Sequence, residues 1–138
     1  MKILITGGAG YIGSHVVLEA LDNGHSVTVF DDLSTGKEKN INKNTSFIEG
    51  STLLKNDLNE VMKNAKFDVV VHLAASKSAG ESMKKPNWYA ENNILGGINV
   101  INACIENNIK ILIFSSTAAV YGKPNYIPID ESHSLNPF

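Results

Sequence analysis

The residues best suited to chemistry lie near the start of the chain, in the run Gly7-Gly8-Ala9-Gly10-Tyr11-Ile12-Gly13. This G-x-x-G-x-x-G spacing sits between a β-branched apolar stretch and a helical one, the context in which such a run holds a dinucleotide pyrophosphate. Gly7 permits the sharp turn, Gly10 lets the backbone approach the pyrophosphate with no Cβ between them, and Gly13 lets the helix close on the strand. The free N–H groups of the first helical turn, at the positive end of the helix dipole, then face the anion. No Gly-Lys-Ser/Thr follows, which argues against a P-loop nucleotidase. The alternative is a glycine-rich turn that holds nothing.

Asp31 falls 18 residues after Gly13, at the end of the next apolar run, where a carboxylate accepts hydrogen bonds from adenosine ribose hydroxyls. That acid favours NAD over NADP. A 2′-phosphate about 4 Å away would be repelled by roughly 4 kcal/mol per charge pair at an effective dielectric near 20. Lys37 and Lys39 offset little of this, because exposed ion pairs contribute about 0–1 kcal/mol. The competing reading makes Asp31 a turn or helix cap in Asp31-Asp32-Leu33-Ser34. Further along, Ser115-Ser116-Thr117 clusters hydroxyls at the end of an apolar run, either for proton handling or to satisfy backbone groups.

Positioning these residues requires alternating strands and helices. Lys2–Thr6, Ser26–Phe30, Ser46–Glu49, Val69–Leu73 and Ile109–Ser115 read as strands, and the unbroken apolar run Val69-Val70-Val71 fits parallel strands buried on both faces. Tyr11–Asn23, Thr52–Asn64 and Pro86–Asn107 read as helices, with Gly24 and Asn108 as C-terminal stops. Right-handed βαβ units in this order predict a Rossmann-type, doubly wound parallel α/β sheet of strand order 3-2-1-4-5, with ligands at the carboxyl ends of the strands.

Taken together these residues resemble the extended short-chain dehydrogenase/reductases and, among them, the UDP-glucose 4-epimerases. The resemblance rests on Thr6 to His15, on His72-Leu73-Ala74-Ala75, on Lys77, Gly80-Glu81-Ser82 and Lys85-Pro86, on Asn92-Asn93, and on Phe114 to Gly122. The stretch from Lys77 to Pro86 points to the epimerases rather than to sugar-nucleotide dehydratases. The resemblance implies NAD as cofactor. It places Tyr11 and Ile12 at the pyrophosphate and Asp31, Asp32, Leu33, Ser34, Thr35 and Gly36 around the adenosine ribose. Leu73, Ala74, Ala75 and Lys77 then lie along the cofactor, Asn92 anchors the same region, and Ser115 sits by the nicotinamide. Thr117 matches the family's catalytic Ser/Thr, whose hydroxyl helps move the sugar hydroxyl proton.

Two departures stand out. Where the family carries an acid for the adenine amine, this chain has Ser51-Thr52; a neutral hydroxyl contributes about 0.5–1.5 kcal/mol against about 1.5–3 for a charged acceptor. Ser51 serves as that weaker acceptor or as cap of the helix from Thr52. The family's Tyr-x-x-x-Lys pair falls beyond Pro137-Phe138, so the resemblance implies that residues 1–138 are an incomplete NAD-binding domain. On that implication it stops before the catalytic helix, without the substrate domain, and is expected to turn over no UDP-galactose. It also implies a homodimer in the complete protein, with Ile94, Ile98 and Ile101 left exposed on the long helix. Another nucleotide-sugar epimerase or dehydratase, or a non-catalytic NAD-binding module, are the competing readings.

Composition closes off other classes. A net charge of -2 and scattered lysines argue against nucleic acid. No run reaches the ~20 apolar residues of a membrane span. One cysteine, Cys104, permits no internal disulfide, and the N-terminus lacks a charged region with a cleavage site, a cytoplasmic pattern. His15, His25, His72 and His133 have no metal-ligand spacing, so no metal is expected. Trp88-Tyr89 are expected to pack against the sheet or a subunit.

Overall fold

The computed structural model describes residues 1–137. Five strands form one sheet: β1 (Lys2–Thr6), β2 (Ser26–Asp31), β3 (Ser46–Glu49), β4 (Val69–His72) and β5 (Ile111–Phe114). Their order is β3-β2-β1-β4-β5 and every neighbouring pair is parallel, as the βαβ alternation predicts. The order reverses direction between β1 and β4. In register there, Thr6 lies beside both Phe30 and His72, so the carboxyl ends of three strands open onto one switch point.

Alternation along the strands feeds two cores. Leu4, Phe30 and Val70 pack with Leu58, Val61 and Met62 of α2 (Lys55–Ala65) and Val100, Ala103 and Cys104 of α5 (Gly96–Glu106). Ile3, Ile5, Val27, Val29, Val69 and Val71 face the other way, onto Val17 of α1 (Tyr11–Asp22). The double burial expected of the strands holds for the central β1, β2 and β4. It does not hold for the outer β3 and β5, where Ile111, Ile113 and Phe114 stay largely exposed.

Three helical expectations are corrected. α2 begins at Lys55 rather than Thr52, because Ser51 closes a turn instead: its carbonyl accepts from Leu54 N–H at 3.0 Å and its hydroxyl from Leu53 N–H at 3.4 Å. Ser51 is therefore not the helix cap; Leu54 holds that position without a side-chain bond. The stretch Pro86–Asn107 is not one α-helix but α4 (Pro86–Ala90), a π-helical turn (Glu91–Leu95) and α5. A short α3 (Ala79–Ser82) precedes it, too brief for periodicity to reveal. Gly24 and Asn108 do end their helices, both in the left-handed region with φ of 74° and 58°.

Candidate functional site

A cleft of about 420 Å³ opens at the switch point, over the carboxyl ends of the strands. Its floor is the glycine turn. Gly7 adopts φ 76°, its N–H donates to Phe30 O at 2.9 Å, and a Cβ there would sit 2.6 Å from Ala74 N. The turns after β1 and β4 thus touch through backbone alone. Gly13 is tighter still, since its Cβ would meet Gly7 O at 2.0 Å. Gly10 differs from both: its φ of −75° is ordinary and only Gly7 O, at 3.2 Å, stands within reach of an added Cβ. The protein's own packing asks little of Gly10, so the freedom it leaves lies on the cleft side.

Helix α1 starts with Gly10 as N-cap and no side-chain cap. Ser14 N–H is the donor to Gly10 O at 3.0 Å, so the N–H groups of Tyr11, Ile12 and Gly13 precede the first intrahelical bond. These donors, with no acid in the first turn, suit a diphosphate, and Tyr11, Ile12 and Gly13 all line the cleft.

Asp31 fills the turn-holding role expected of it as an alternative, and also faces the cleft. The carboxylate is buried; Oδ2 accepts from Ala9 N–H and Oδ1 from Leu33 N–H, each at 2.9 Å. Ala9 O in turn accepts from Lys37 N–H at 3.1 Å and Asn40 Nδ2 at 2.9 Å, which ties the glycine turn to the loop after β2. The carboxylate also lines the cleft, and each oxygen retains a lone pair for a ribose hydroxyl. Asp32, Ser34 and Thr35 line the same end, with Asp32 Oδ1 accepting from Ser34 N–H at 2.9 Å. Leu33 and Gly36 stand behind that wall. Gly36 packs so closely that a Cβ would lie 2.7 Å from Asp31 Oδ1 and 2.9 Å from the Ala9 Cβ.

After β3, Thr52 lines the cleft and Ser51 does not. Thr52 is buried, held where Asn99 of α5 donates from Nδ2 to Thr52 O at 3.0 Å. At the opposite end Leu73, Ala74, Ala75, Lys77, Asn92 and Ser115 all face the cleft. Thr117 lies outside it, exposed, capping a 3-10 turn (Ala118–Tyr121) by accepting from Ala119 N–H at 3.1 Å; the hydroxyl proton remains available for donation.

Several lining residues escaped the sequence reading, among them Phe30, Gly50, Ser76, Ser78 and Glu81. Trp88 and Tyr89 line the cleft too, rather than packing on the sheet. Tyr89 is buried and donates from its hydroxyl to Glu81 Oε2 at 3.0 Å, while Lys85 Nζ lies 3.0 Å from Glu81 Oε1. The Lys85 ammonium first, then the Tyr89 hydroxyl, hold the Glu81 carboxyl below its usual range; burial and the nearby carboxylate raise Tyr89. The i, i+4 spacing of Glu81 and Lys85 was the available signal. Among the described residues no group of acids, histidines or cysteines could hold a metal ion, and no helix is long and apolar enough to cross a membrane.

Beneath the cleft, Thr6 Oγ1 and His72 Nδ1 are 2.6 Å apart and both residues are buried. Burial lowers the His72 pKa, so the ring takes up a proton less readily in the native state than in the unfolded chain, where it titrates near 6.5. The unfolded state then binds more protons, and stability falls as pH drops below about 6.5. Melting temperature is expected to decline from pH 7.5 to 5.5, and His72→Asn to flatten that decline by up to one proton, about 1.4 kcal/mol per pH unit. An unchanged slope in thermal melts of the variant would remove His72 as its source.

Comparison with known proteins adds identity to this geometry. UDP-glucose 4-epimerase of Lactobacillus helveticus is 42% identical over 137 residues, which are 99% of this chain and 42% of the relative. The structure of UDP-glucose 4-epimerase from Brucella ovis in complex with NAD matches with a TM-score of 0.90 at 37% identity, over 99% of this chain and 42% of that one. That of Bifidobacterium longum UDP-glucose 4-epimerase in complex with NAD+ and UDP matches with a TM-score of 0.88 at 31% identity, over 99% and 43%. The chain thus spans less than half the length of these relatives. The model of the NAD dependent epimerase/dehydratase family matches residues 3–138, and with the glycine turn, the acid at the end of β2 and the strand order all in place, the chain belongs to that family.

Proposed function

We propose that these residues form the NAD-binding part of a UDP-glucose 4-epimerase, which interconverts UDP-glucose and UDP-galactose by transient oxidation at the sugar C4. The observation that carries the reading is the joint geometry of Gly10, open toward the cleft, and Asp31, fixed at its ribose end. The L. helveticus relative bears the same activity in its name. Tyr11, Ile12 and Gly13 offer backbone N–H groups to the pyrophosphate; Asp31, Asp32, Ser34 and Thr35 take the adenosine ribose, with Leu33 and Gly36 behind them; Thr52 lies on the adenine side, with Ser51 one residue removed from the lining. Leu73 to Ala75, Lys77, Asn92 and Ser115 hold the nicotinamide half. Bound NAD supplies the acceptor for the C4 hydride. Thr117, with a free hydroxyl proton, hydrogen-bonds the sugar hydroxyl from the loop after β5.

The four tyrosines, Tyr11, Tyr89, Tyr121 and Tyr126, are followed four positions later by His15, Asn93, Asn125 and Asp130, so no Tyr-x-x-x-Lys pair lies within these residues. The natural polypeptide that carries them is expected to convert UDP-galactose to UDP-glucose with bound NAD. A polypeptide confined to the 138 residues is expected to show no turnover. A coupled assay for UDP-glucose checks both, and epimerisation by the 138 residues alone would show that turnover does not need a Tyr-x-x-x-Lys pair.

The same reading includes a homodimer built on the exposed face of the π-helical turn and α5, where Ile94, Ile98 and Ile101 are 63%, 47% and 47% exposed. A light-scattering mass of one chain at high concentration would count against it. The cytoplasm is the corresponding compartment, where a free buried thiol such as Cys104 stays reduced.

A further inference from the structure

The segment from Leu73 to Ser78 leaves β4 and reaches α3 without regular structure, yet it forms one long wall of the cleft. Backbone groups in such a segment need partners from elsewhere. At Ser76 they come from one side chain: Ser76 N–H donates to Asn93 Oδ1 at 2.9 Å, and Asn93 Nδ2 donates to Ser76 O at 2.8 Å. The carboxamide thus pairs with the peptide as a neighbouring strand would. Its orientation is fixed, because a flipped amide would set donor against donor and acceptor against acceptor. Asn93 Oδ1 also accepts from Asn92 Nδ2 at 2.9 Å, which itself lies 3.4 Å from Ser76 Oγ.

Consecutive helical side chains ordinarily point about 100° apart, so two adjacent asparagines do not both reach one loop from a regular helix. Here they belong to the π-helical turn Glu91–Leu95, a wider geometry that recurs at functional sites. Asn92 and Ser76 line the cleft, whereas Asn93 stands behind them.

We infer that Asn93 is a positioning residue for the dinucleotide: its two-point clamp on Ser76, and its bond to Asn92, fix the Ser76-Lys77 wall and the Asn92 amide in the form that accepts the ligand. The inference rests on the NAD reading of the cleft and adds to it a residue that touches no ligand.

Asn93→Asp tests it. An ionised carboxylate still accepts from Ser76 N–H but opposes Ser76 O, whereas a protonated carboxyl has one donor and one acceptor and restores the clamp. In the natural polypeptide, NAD titrated by calorimetry at pH 7.5 should bind the variant about tenfold more weakly than the wild type, the scale of one or two lost hydrogen bonds. The ratio of the two affinities should return toward one as pH falls from about 5 to below about 4, through the range where an Asp carboxyl takes up its proton. Asn93→Ala, which leaves the Ser76 groups to water, should keep a constant deficit at every pH. It also keeps the test readable if the Asp variant does not fold at pH 7.5. Binding of NAD by both variants within twofold of wild type, or an Asp deficit that pH does not move, overturns the clamp. Failure of the wild type to bind NAD overturns the reading beneath it.

Discussion

Gly13→Ala is expected to destroy the folded turn, whereas Gly10→Ala is expected to keep the fold and lose the dinucleotide. At Gly13 the added Cβ would lie 2.0 Å from Gly7 O, 2.8 Å from Gly8 Cα and 2.9 Å from Gly7 C. All three are backbone atoms of the turn itself, so relief requires opening it. The cost lies at or above the upper end for overpacking, about 3 kcal/mol, out of a total stability of roughly 5–15 kcal/mol for a domain. A fall in the urea unfolding midpoint measures it, and an unchanged midpoint would show that the turn is not closed as described. Gly10 has an ordinary φ of −75° and one contact, Gly7 O at 3.2 Å, that yields by a small shift. Its alanine variant should stay within about 1 kcal/mol of wild type. The methyl group then occupies the approach of the pyrophosphate, and forfeiting charge-assisted hydrogen bonds of about 1.5–3 kcal/mol weakens NAD by about 10- to 100-fold.

Removing the Asp31 carboxylate is expected to cost stability and selectivity together. Asp31→Ala strands two N–H donors, those of Ala9, which is fully buried, and Leu33. Each bond to a charged acceptor contributes about 1.5–3 kcal/mol, so the loss of both is about 3–6 kcal/mol out of roughly 5–15 for a domain. Asp31→Asn is the more informative change, because one oxygen remains to accept while the charge is gone. It should unfold about 2 kcal/mol more easily, from one bond replaced by facing donors. A 2′-phosphate near the wild-type carboxylate is repelled by about 4 kcal/mol, so the variant should narrow the preference for NAD over NADP at least about tenfold. Parallel titrations of the two dinucleotides decide it. A folded variant with an unchanged preference would mean that the carboxylate serves the turn alone.

How far the sequence carried is visible in particular residues. Strand order followed from the alternation of short apolar runs with helical ones, a local pattern that chirality rules convert into topology. The glycine turn was legible because its signal is steric and local. Asp31 was legible in place but not in its bonding: spacing brought it to the cleft, while its bonds to Ala9 and Leu33 depend on how the loop after β2 folds back. The break in Pro86–Asn107 was not legible, since the residues that open the π-helical turn are satisfied by Ser76, 17 positions away from Asn93 in sequence. Ser51 misled because a hydroxyl before a polar stretch looks like a helix cap, and the turn it closes shifts the helix start to Lys55. Glu81, Trp88 and Tyr89 reach the cleft through α3 and α4, elements whose placement is set by tertiary packing rather than by periodicity.

The central claim is that the cleft over Gly7 to Gly13 holds the pyrophosphate of NAD. Its most direct test is calorimetric titration of NAD into the natural polypeptide and its Gly10→Ala variant, with thermal melts of both under the same conditions. Nearly equal melting temperatures are expected, with an affinity at least about tenfold weaker in the variant. Equal affinities in two equally stable proteins would contradict it.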